Sequence, residues 1–360
     1  MMTRHPQGGP GTTDDPQRAA SALLAGSLVA LPTETVYGLA ALASDRTAVG
    51  RVFQVKGRPA DHPLIVHVAS LASAQDWVLE FPEPALELAR RSWPGPLTLV
   101  LPKAPWVLDE VTGGQPTVAL RVPDHPLTAQ VLELVGRGLA GPCGLVAPSA
   151  NVFGRVSPTS AADVRAGLGD RLRVGDLILD GGRCRIGVES TIVDATDGKL
   201  RVLRPGAVLL DPDATRTAGA AAVGNADTTG AGAAEVVGAT GAGAASVDAN
   251  RQPPRVPGSH STHYAPTAQV VLASGDEVLA ASGAMGSNKG GTGLLAPVEI
   301  ETPAGWIRLA SPADDDSFAA VLYRCLRAAD DAGLGRIVVV PPAAGAMLPA
   351  ILDRLRRAAG

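Results

Sequence analysis

The chain has 360 residues, of which 46% are hydrophobic, and a formal net charge of -4. This length predicts two domains, each able to bury its own core, and the negative charge excludes a general attraction to nucleic acid. The 3 cysteines are widely separated and include no CxxC pair, which argues against a disulfide framework or a cysteine-rich zinc site and favours a cytoplasmic protein.

The N-terminal part of the chain predicts one α/β domain over residues 17–210, after a disordered tail over residues 1–16. The tail lacks the apolar segment of a signal peptide, and no apolar run is long enough to span a bilayer. Strand-like runs alternate with stretches of helical period, which favours a mixed sheet. The predicted strands are SLVALP (27–32), PLIVHV (63–68), LTLVLP (97–102), TVALRVP (117–123), GLVAPSA (144–150), LILDGG (177–182) and STIVDA (190–195). The predicted helices cover residues 45–56, 83–92, 128–138 and 160–168.

The composition changes after residue 210 and predicts a linker over residues 211–268. Its first part is rich in Ala and Gly and nearly free of large apolar side chains, and its last part is rich in Pro. A second, smaller α/β domain is predicted over residues 269–360, with helices at 316–333 and 347–360 around the strand-like run RIVVVPP (336–342). The segment GSNKGGTG (286–293) has the glycine content of a phosphate-binding loop but lacks the GxxxxGK[ST] motif, and is interpreted as a flexible connection.

Lys56 and Arg58 stand where a helical pattern ends, with Gly57 between them to let the backbone turn. An ammonium group beside a guanidinium fork suits a polyphosphate. Cations are also favoured at a solvated helix C-terminus, so these two residues alone do not decide between the two interpretations.

Several polar loops follow predicted strands, which is where ligands bind in α/β folds. Thr33 lies in the first of them, and Arg121 lies inside an apolar run, where it must pair with a structural carboxylate or bind a carboxylate ligand. The loop APSANVFGRVSPT (147–159) predicts an oxyanion or phosphate cradle, although Ser and Asn are also common in ordinary turns. His260 and His263 could form a metal pair only weakly, so a structural or substrate-facing role is preferred for the histidines and no metal site is predicted.

Taken together and in order, nine segments resemble the YrdC-like domain of threonylcarbamoyl-AMP synthase over residues 17–210. They are PTETVYGL, KGRPADHPLIVHV, WPGPLTLVL, VALRVPDHP, APSAN, SPT, DGG, GVESTIVD and LRPG. HYAP (263–266), followed by a small α/β domain, resembles the long two-domain form of the family. The resemblance implies a twisted mixed sheet with a concave, electropositive cavity and a Rossmann-like C-terminal domain.

The resemblance also implies the reaction and the site. L-Threonine, bicarbonate or CO2, and ATP would give L-threonylcarbamoyladenylate and pyrophosphate, and a separate transferase would pass the threonylcarbamoyl group to tRNA. The residues implied for ATP are Lys56, Arg58, Thr117, Ala147, Ser149, Ser157, Arg204 and Tyr264. Those implied for L-threonine are Thr33, His67, Arg121 and Ser190. Mg2+ would accompany the triphosphate and need few dedicated protein ligands, and no redox cofactor is expected. Tyr264 would reach over the cavity from the linker.

The alternative is a non-catalytic module that binds double-stranded RNA or tRNA, or an enzyme with weak RNA binding, since a concave basic surface can follow a phosphate backbone. The negative net charge and the low aromatic content, 3% of the residues, argue against this alternative. One departure from the family pattern is the Ala/Gly-rich segment over residues 211–250, which is longer than a lid requires.

Overall fold

The structure is a computed structural model that describes residues 9–210, 252–258, 264–281 and 290–360. The predictions for residues 1–8, for most of the linker, and for His260 and His263 lie outside the described residues. No helix in the described ranges combines the length and the apolar character needed to cross a membrane.

Within the described chain, ten strands form one mixed sheet in the order β1-β8-β2-β3-β7-β4-β6-β5-β9-β10. These strands are β1 (Gly11–Thr13), β2 (Val29–Leu31), β3 (Gly38–Leu42), β4 (Ile65–His67), β5 (Leu97–Pro102), β6 (Thr117–Arg121), β7 (Leu145–Val146), β8 (Leu177–Leu179), β9 (Thr191–Asp194) and β10 (Arg201–Arg204). The helices of this half are α1 (Pro16–Leu24), α2 (Arg46–Lys56), α3 (Leu71–Gln75), α4 (Glu83–Ser92), α5 (Asp109–Thr112), α6 (Pro126–Arg137) and α7 (Ala161–Leu168).

This sheet is buried on both faces. Ala30 of β2 and Leu39 of β3 belong to an apolar cluster that includes residues of α2, α4 and α7. The alternate residues Leu31 and Ala40 belong to a second cluster that includes residues of α1 and α6. Because side chains alternate across a strand, helices cover each face, and the strands can be apolar throughout.

A second sheet of four described strands, all parallel, follows in the order β11-β14-β12-β13. Its strands are β11 (Gln269–Leu272), β12 (Thr292–Leu295), β13 (Ile307–Ala310) and β14 (Arg336–Val339), and its helices are α8 (Gly275–Ala281), α9 (Asp315–Asp331) and α10 (Leu348–Ala359). A capping box between Asp314 and Ser317 begins α9. The predicted fold class, a large mixed α/β sheet followed by a smaller α/β unit, is therefore confirmed.

The two halves pack through a shared apolar cluster. Val156 and Val188 of the N-terminal half lie in one cluster with Phe318 and Leu322 of α9. Gly187 lies in the same interface with φ of 80°. A Cβ atom at Gly187 would lie 2.6 Å from the carbonyl oxygen of Ala319. The backbone at Gly187 therefore packs directly against the backbone of α9, and only glycine fits at this position.

Two sequence predictions are wrong. Residues 11–13, assigned to a disordered tail, form β1, which pairs in parallel with β8. The strand was missed because Gly-Thr-Thr has no apolar signal and is ordered by backbone pairing. The second wrong prediction is the end of the flexible connection over 286–293. Its last two residues belong to β12, which begins at Thr292 and pairs with β13 and β14.

Candidate active site

The large sheet borders a cavity of about 550 Å³, part of which is open to solvent. The cavity wall is formed by the loops after β2 and β7, the ends of β4 and β6, the residues just before β9, and the linker. Its wall includes most of the predicted site residues, namely Thr33, Arg58, His67, Arg121, Ala147, Ser149, Ser190, Arg204 and Tyr264. Of the charged side chains in this wall, three are arginines and one is the carboxylate of Glu189. The cavity is therefore suited to an anionic ligand.

At one side, five buried residues form what we call the Arg121 cluster: Thr33, Glu34, Thr35, His67 and Arg121. The Arg121 guanidinium lies 2.7 Å from Glu34 Oε1 in an ion pair and donates to Thr35 Oγ1 at 2.8 Å. Its Nε has no hydrogen-bond partner among the described residues. Arg121 is thus held by a structural carboxylate, lines the cavity, and keeps one buried donor without a hydrogen-bond partner within the described ranges.

His67 lies beside Arg121 because the two residues are register partners on the parallel strands β4 and β6. Burial, reinforced by the charge of Arg121, lowers the pKa of His67 to about 3. The imidazole is therefore neutral at physiological pH, and its Nδ1 has no partner in the described part of the chain. A neutral ring next to a cation can orient a substrate without adding charge.

Arg58 follows the αL cap Gly57 at the end of α2, which turns the chain toward the cavity. Its Nη2 donates to the Pro63 carbonyl at 2.9 Å, and its guanidinium carbon lies 5.8 Å from the ring centre of Phe153. Burial lowers the pKa of Arg58 to about 10, so the side chain stays charged. Arg58 is a cation fixed in the wall by a carbonyl and an aromatic face.

Lys56 does not line the cavity. Its Nζ donates to the carbonyl oxygens of Ser149 at 2.5 Å and Asn151 at 2.8 Å, and burial lowers its pKa well below the usual value. The side chain therefore braces the loop after β7, and the cavity residues Ala147 and Ser149 belong to that loop. The two cations of the K-x-R pattern have different surroundings, although sequence alone places them side by side.

A second group of five buried residues, which we call the Arg204 cluster, borders the cavity, and all of them except Ser157 line it: Ser157, Glu189, Ser190, Arg204 and Tyr264. Arg204 donates to the Ser190 carbonyl at 2.8 Å and to Ser190 Oγ at 3.1 Å. Ser157 lies outside the cavity wall and donates to Glu189 Oε1 at 2.6 Å. The described contacts of Arg204 are thus to carbonyl and hydroxyl oxygens. None of these contacts is with a carboxylate, so none neutralises its positive charge.

Linker residues cover the Arg204 cluster. The Pro257 carbonyl accepts from Arg204 Nη1 at 3.0 Å, and Gly258, with φ of 78°, lies against Tyr264. A Cβ atom at Gly258 would lie 2.5 Å from the Tyr264 hydroxyl oxygen. Val256 is buried on the sheet in an apolar cluster with Ile65. This part of the linker therefore forms a wall of the cavity, and a side chain at position 258 would not fit.

Thr117 is the third predicted ATP residue, after Lys56 and Ser157, that does not line the cavity. Thr117 begins β6, whereas Arg121 ends it, and only Arg121 lines the cavity. Five residues of extended strand place the two Cα atoms roughly 13 Å apart.

Sequence reasoning also missed residues of the site, above all Glu34 and Glu189. Both are buried carboxylates that contact predicted site residues. The signal in the sequence was a charged residue placed directly beside an apolar strand, which in a buried sheet requires a partner. The cavity glycines Gly38 and Gly258 carried no chemical signal at all.

No group of three or more His, Cys, Asp or Glu side chains in the described ranges is arranged to hold a metal ion.

Comparisons with known proteins agree with this architecture. Residues 21–206 match the family described as Telomere recombination, and residues 229–360 match the family described as Threonylcarbamoyl-AMP synthase, C-terminal domain. The threonylcarbamoyl-AMP synthase of Pyrococcus abyssi is 36% identical, over 95% of this chain and 93% of that protein. The protein of the same name from Bacillus subtilis is 37% identical, over 97% of this chain and 94% of its own.

A solved structure agrees as well. The crystal structure of Pyrococcus abyssi Sua5 complexed with L-threonine matches with a TM-score of 0.74 and 33% identity, covering 98% of this chain and 97% of that one. The resemblance drawn from the sequence motifs is thereby confirmed. The chain belongs to the threonylcarbamoyl-AMP synthase family and is an enzyme of this transferase type.

Proposed function

We propose that this enzyme condenses L-threonine, bicarbonate or CO2, and ATP into L-threonylcarbamoyladenylate and pyrophosphate. The observation that carries the proposal is one cavity whose wall holds Arg121 in one cluster and Arg204 in another, with Arg58 close enough to Arg204 for their charges to interact. Arg121 suits the single carboxylate of an amino acid, and the other two arginines suit a polyphosphate. The similar Pyrococcus abyssi structure is a complex with L-threonine, which supports the choice of amino acid.

The chemistry has two steps. The threonine amine and bicarbonate give a carbamate and water. A carbamate oxygen then attacks the α-phosphorus of ATP, the bond from that phosphorus to the bridging oxygen breaks, and pyrophosphate leaves with the electron pair. Since two anions must approach each other, charge neutralisation and alignment provide most of the catalysis.

At the Arg121 cluster, we propose that the threonine carboxylate binds the guanidinium of Arg121, whose Nε has no hydrogen-bond partner among the described residues. Neutral His67 and the Thr33 hydroxyl would orient the rest of the amino acid. Ser190, which contacts Arg204, would lie between the amino acid and the phosphates. Holding the amine in place also holds the carbamate that forms on it, so that the attack of the carbamate oxygen on the α-phosphorus takes place within one complex.

At the Arg204 cluster, we propose that Arg58 and Arg204 bind phosphate oxygens and that the loop containing Ala147 and Ser149 receives the nucleotide. Lys56 and Ser157 would act from behind the wall, by bracing that loop and by orienting Glu189. A role for Thr117 in the nucleotide site has the least support. Mg2+ would arrive with the phosphates of ATP, as part of the substrate.

The covering linker residues suit a product that water would destroy. Pro257, Gly258 and Tyr264 lie in the cavity wall, and a closed wall would protect the mixed anhydride from hydrolysis. We propose further that the product is passed to a separate transferase for tRNA modification. The three cysteines are free, which agrees with the cytoplasmic location that we propose.

The test is pyrophosphate release from ATP by the full chain, with and without L-threonine and bicarbonate, and with products identified by mass. We expect release only when both are present, together with the mass of L-threonylcarbamoyladenylate. Equal release without threonine would contradict the proposal. Replacing L-threonine with L-valine, which has a methyl group in place of the hydroxyl, tests whether the site recognises that hydroxyl.

A further inference from the structure

Glu189 is a buried carboxylate in the cavity wall, where an anionic ligand would repel it. Both of its oxygens have partners. Oε1 accepts from Ser157 in the N-terminal half, whereas Oε2 accepts from Tyr323 Oη at 2.7 Å and from Arg354 Nε at 2.9 Å. Tyr323 lies in α9 and Arg354 in α10, so the C-terminal half satisfies this acid of the N-terminal half.

The ion pair with Arg354 decides the charge balance of the cavity. Burial alone would raise the pKa of Glu189, but Arg354 and then Arg204 outweigh it and hold the pKa at about 2. Glu189 is therefore charged at neutral pH. After Arg354, the cation that most lowers the pKa of Glu189 is Arg204, which lines the cavity, so without Arg354 the charge of Glu189 would fall on Arg204.

Arg354 and Tyr323 also contact the linker tyrosine. The Arg354 guanidinium carbon lies 5.5 Å from the ring centre of Tyr264, and the rings of Tyr264 and Tyr323 are stacked with centres 5.5 Å apart. Arg354 is fully buried and also donates to the Pro205 carbonyl at 2.9 Å, next to Arg204. One side chain of α10 thus contacts the acid, the linker and the turn after β10.

We propose that Arg354 and Tyr323 are positioning residues for the nucleotide end of the cavity. By neutralising and orienting Glu189, they keep the positive charge of Arg204 and Arg58 available to phosphate oxygens, and they fix the Tyr264 ring. The C-terminal half therefore completes the active site from behind its wall. This inference rests on the proposed function, because it assumes that a phosphate anion binds beside Arg204.

The experiment compares Arg354→Met with Arg356→Met in the full-length enzyme. Both substitutions remove one arginine from α10, but Arg356 is exposed. We expect Arg354→Met to raise the KM for ATP about tenfold or more, with a much smaller change in the KM for L-threonine, because Glu189 then competes with phosphate for Arg204. Arg356→Met should leave both constants unchanged.

A second comparison isolates the charge of Glu189. Glu189→Gln keeps the shape of the side chain but removes its charge, so the added loss of Arg354 in Glu189→Gln/Arg354→Met should raise the KM for ATP only slightly. A full tenfold effect in the Gln background would overturn the inference, as would equal KM values for Arg354→Met and Arg356→Met. The Gln background also serves if Arg354→Met alone does not fold.

Tyr323→Phe tests the second partner. It removes the hydroxyl that contacts Glu189 and keeps the ring stacked on Tyr264, so a smaller rise in the KM for ATP is expected, and no rise would remove Tyr323 from the proposal. The wild-type enzyme separates the two hypotheses. If it releases no pyrophosphate in response to threonine, the proposed function fails; if it does so and Arg354→Met behaves like the control, only this inference fails.

Discussion

The Arg121 cluster and the Arg204 cluster line the same cavity, but different parts of the chain hold them. Arg121 contacts Glu34 and Thr35, which belong to the N-terminal half. The acid of the Arg204 cluster depends on Tyr323 and Arg354, which belong to the C-terminal half. One end of the cavity is therefore complete within the large sheet, whereas the other end is completed from outside it.

The difference matches the charge of the ligands that we propose. Arg121 is paired with Glu34 at 2.7 Å, so its charge is already offset, which suits a ligand with a single carboxylate better than a polyphosphate. Arg204 contacts carbonyl and hydroxyl oxygens instead, and therefore keeps its charge for a more highly charged partner. Burying a cation costs free energy unless other groups offset its charge. At the Arg121 cluster a carboxylate offsets the charge, whereas at the Arg204 cluster carbonyl and hydroxyl oxygens do so in part and the ligand would supply the rest.

The largest expected effect is at the self-contained end. Arg121→Gln should lower kcat/KM for L-threonine about 100-fold, because it removes the charged donor that we assign to the threonine carboxylate. Arg185→Gln is the matched control, since Arg185 makes an exposed ion pair with Asp124. Pyrophosphate release at varied L-threonine concentration gives the measurement.

Removing Arg121 also leaves Glu34 buried without its cation, which threatens the fold. The double variant Glu34→Gln/Arg121→Gln removes both charges and should regain stability without regaining threonine-dependent activity. If the double variant were as active as the wild type, Arg121 would have a structural role only.

A smaller effect is expected behind the nucleotide end. Lys56→Met leaves the carbonyl oxygens of Ser149 and Asn151 without their donor, which should lower the free energy of unfolding by roughly 2 kcal/mol. Lys199→Met is the control, because Lys199 is exposed and its substitution should cost under about 1 kcal/mol. Urea unfolding measures both. Equal stability of the two variants, with ATP turnover lost only in Lys56→Met, would make Lys56 a phosphate ligand rather than a brace.

The smallest expected effect is a pH dependence of stability from His67. Its pKa is about 3 in the folded chain against 6.5 ordinarily, so between these values the unfolded chain takes up a proton that the folded chain does not. Stability should therefore fall as the pH falls below 6.5 and stay level above it. The cost from pH 7 to 5.5 is about 1 kcal/mol. His67→Gln should remove this part of the slope; an unchanged slope would contradict the low pKa.

The sequence predicted the apolar elements well, because burial leaves a periodic pattern. LTLVLP and the helical stretch over residues 83–92 coincide with β5 (Leu97–Pro102) and α4 (Glu83–Ser92). It also placed most cavity residues, since polar side chains that interrupt apolar strands are conspicuous. The assignment of these residues to ATP or L-threonine remains a prediction.

The parts that the sequence did not predict depend on contacts between distant segments. β3 begins at Gly38, where a Cβ atom would lie 2.9 Å from the Cβ atom of Ala147, so close packing against the loop after β7 requires a glycine there. β1 is ordered by pairing with β8, more than a hundred residues away in the chain. The partnership of Glu189 with Arg354 likewise requires two separate sheets to be packed together. Local periodicity carries none of this information.

Gly187 gives the contact between the halves a consequence for engineering. A Cβ atom at Gly187 would clash with the backbone of α9, so even an alanine there would push the two halves apart. Gly187 is only two residues from Glu189 in the chain. The spacing of the domains, and with it the reach of Arg354 toward the cavity, is therefore set at a residue with no side chain. A chimera that joins a different C-terminal half to this N-terminal sheet therefore has to keep the close contact between Gly187 and the backbone of α9 in order to bring its own residues to Glu189.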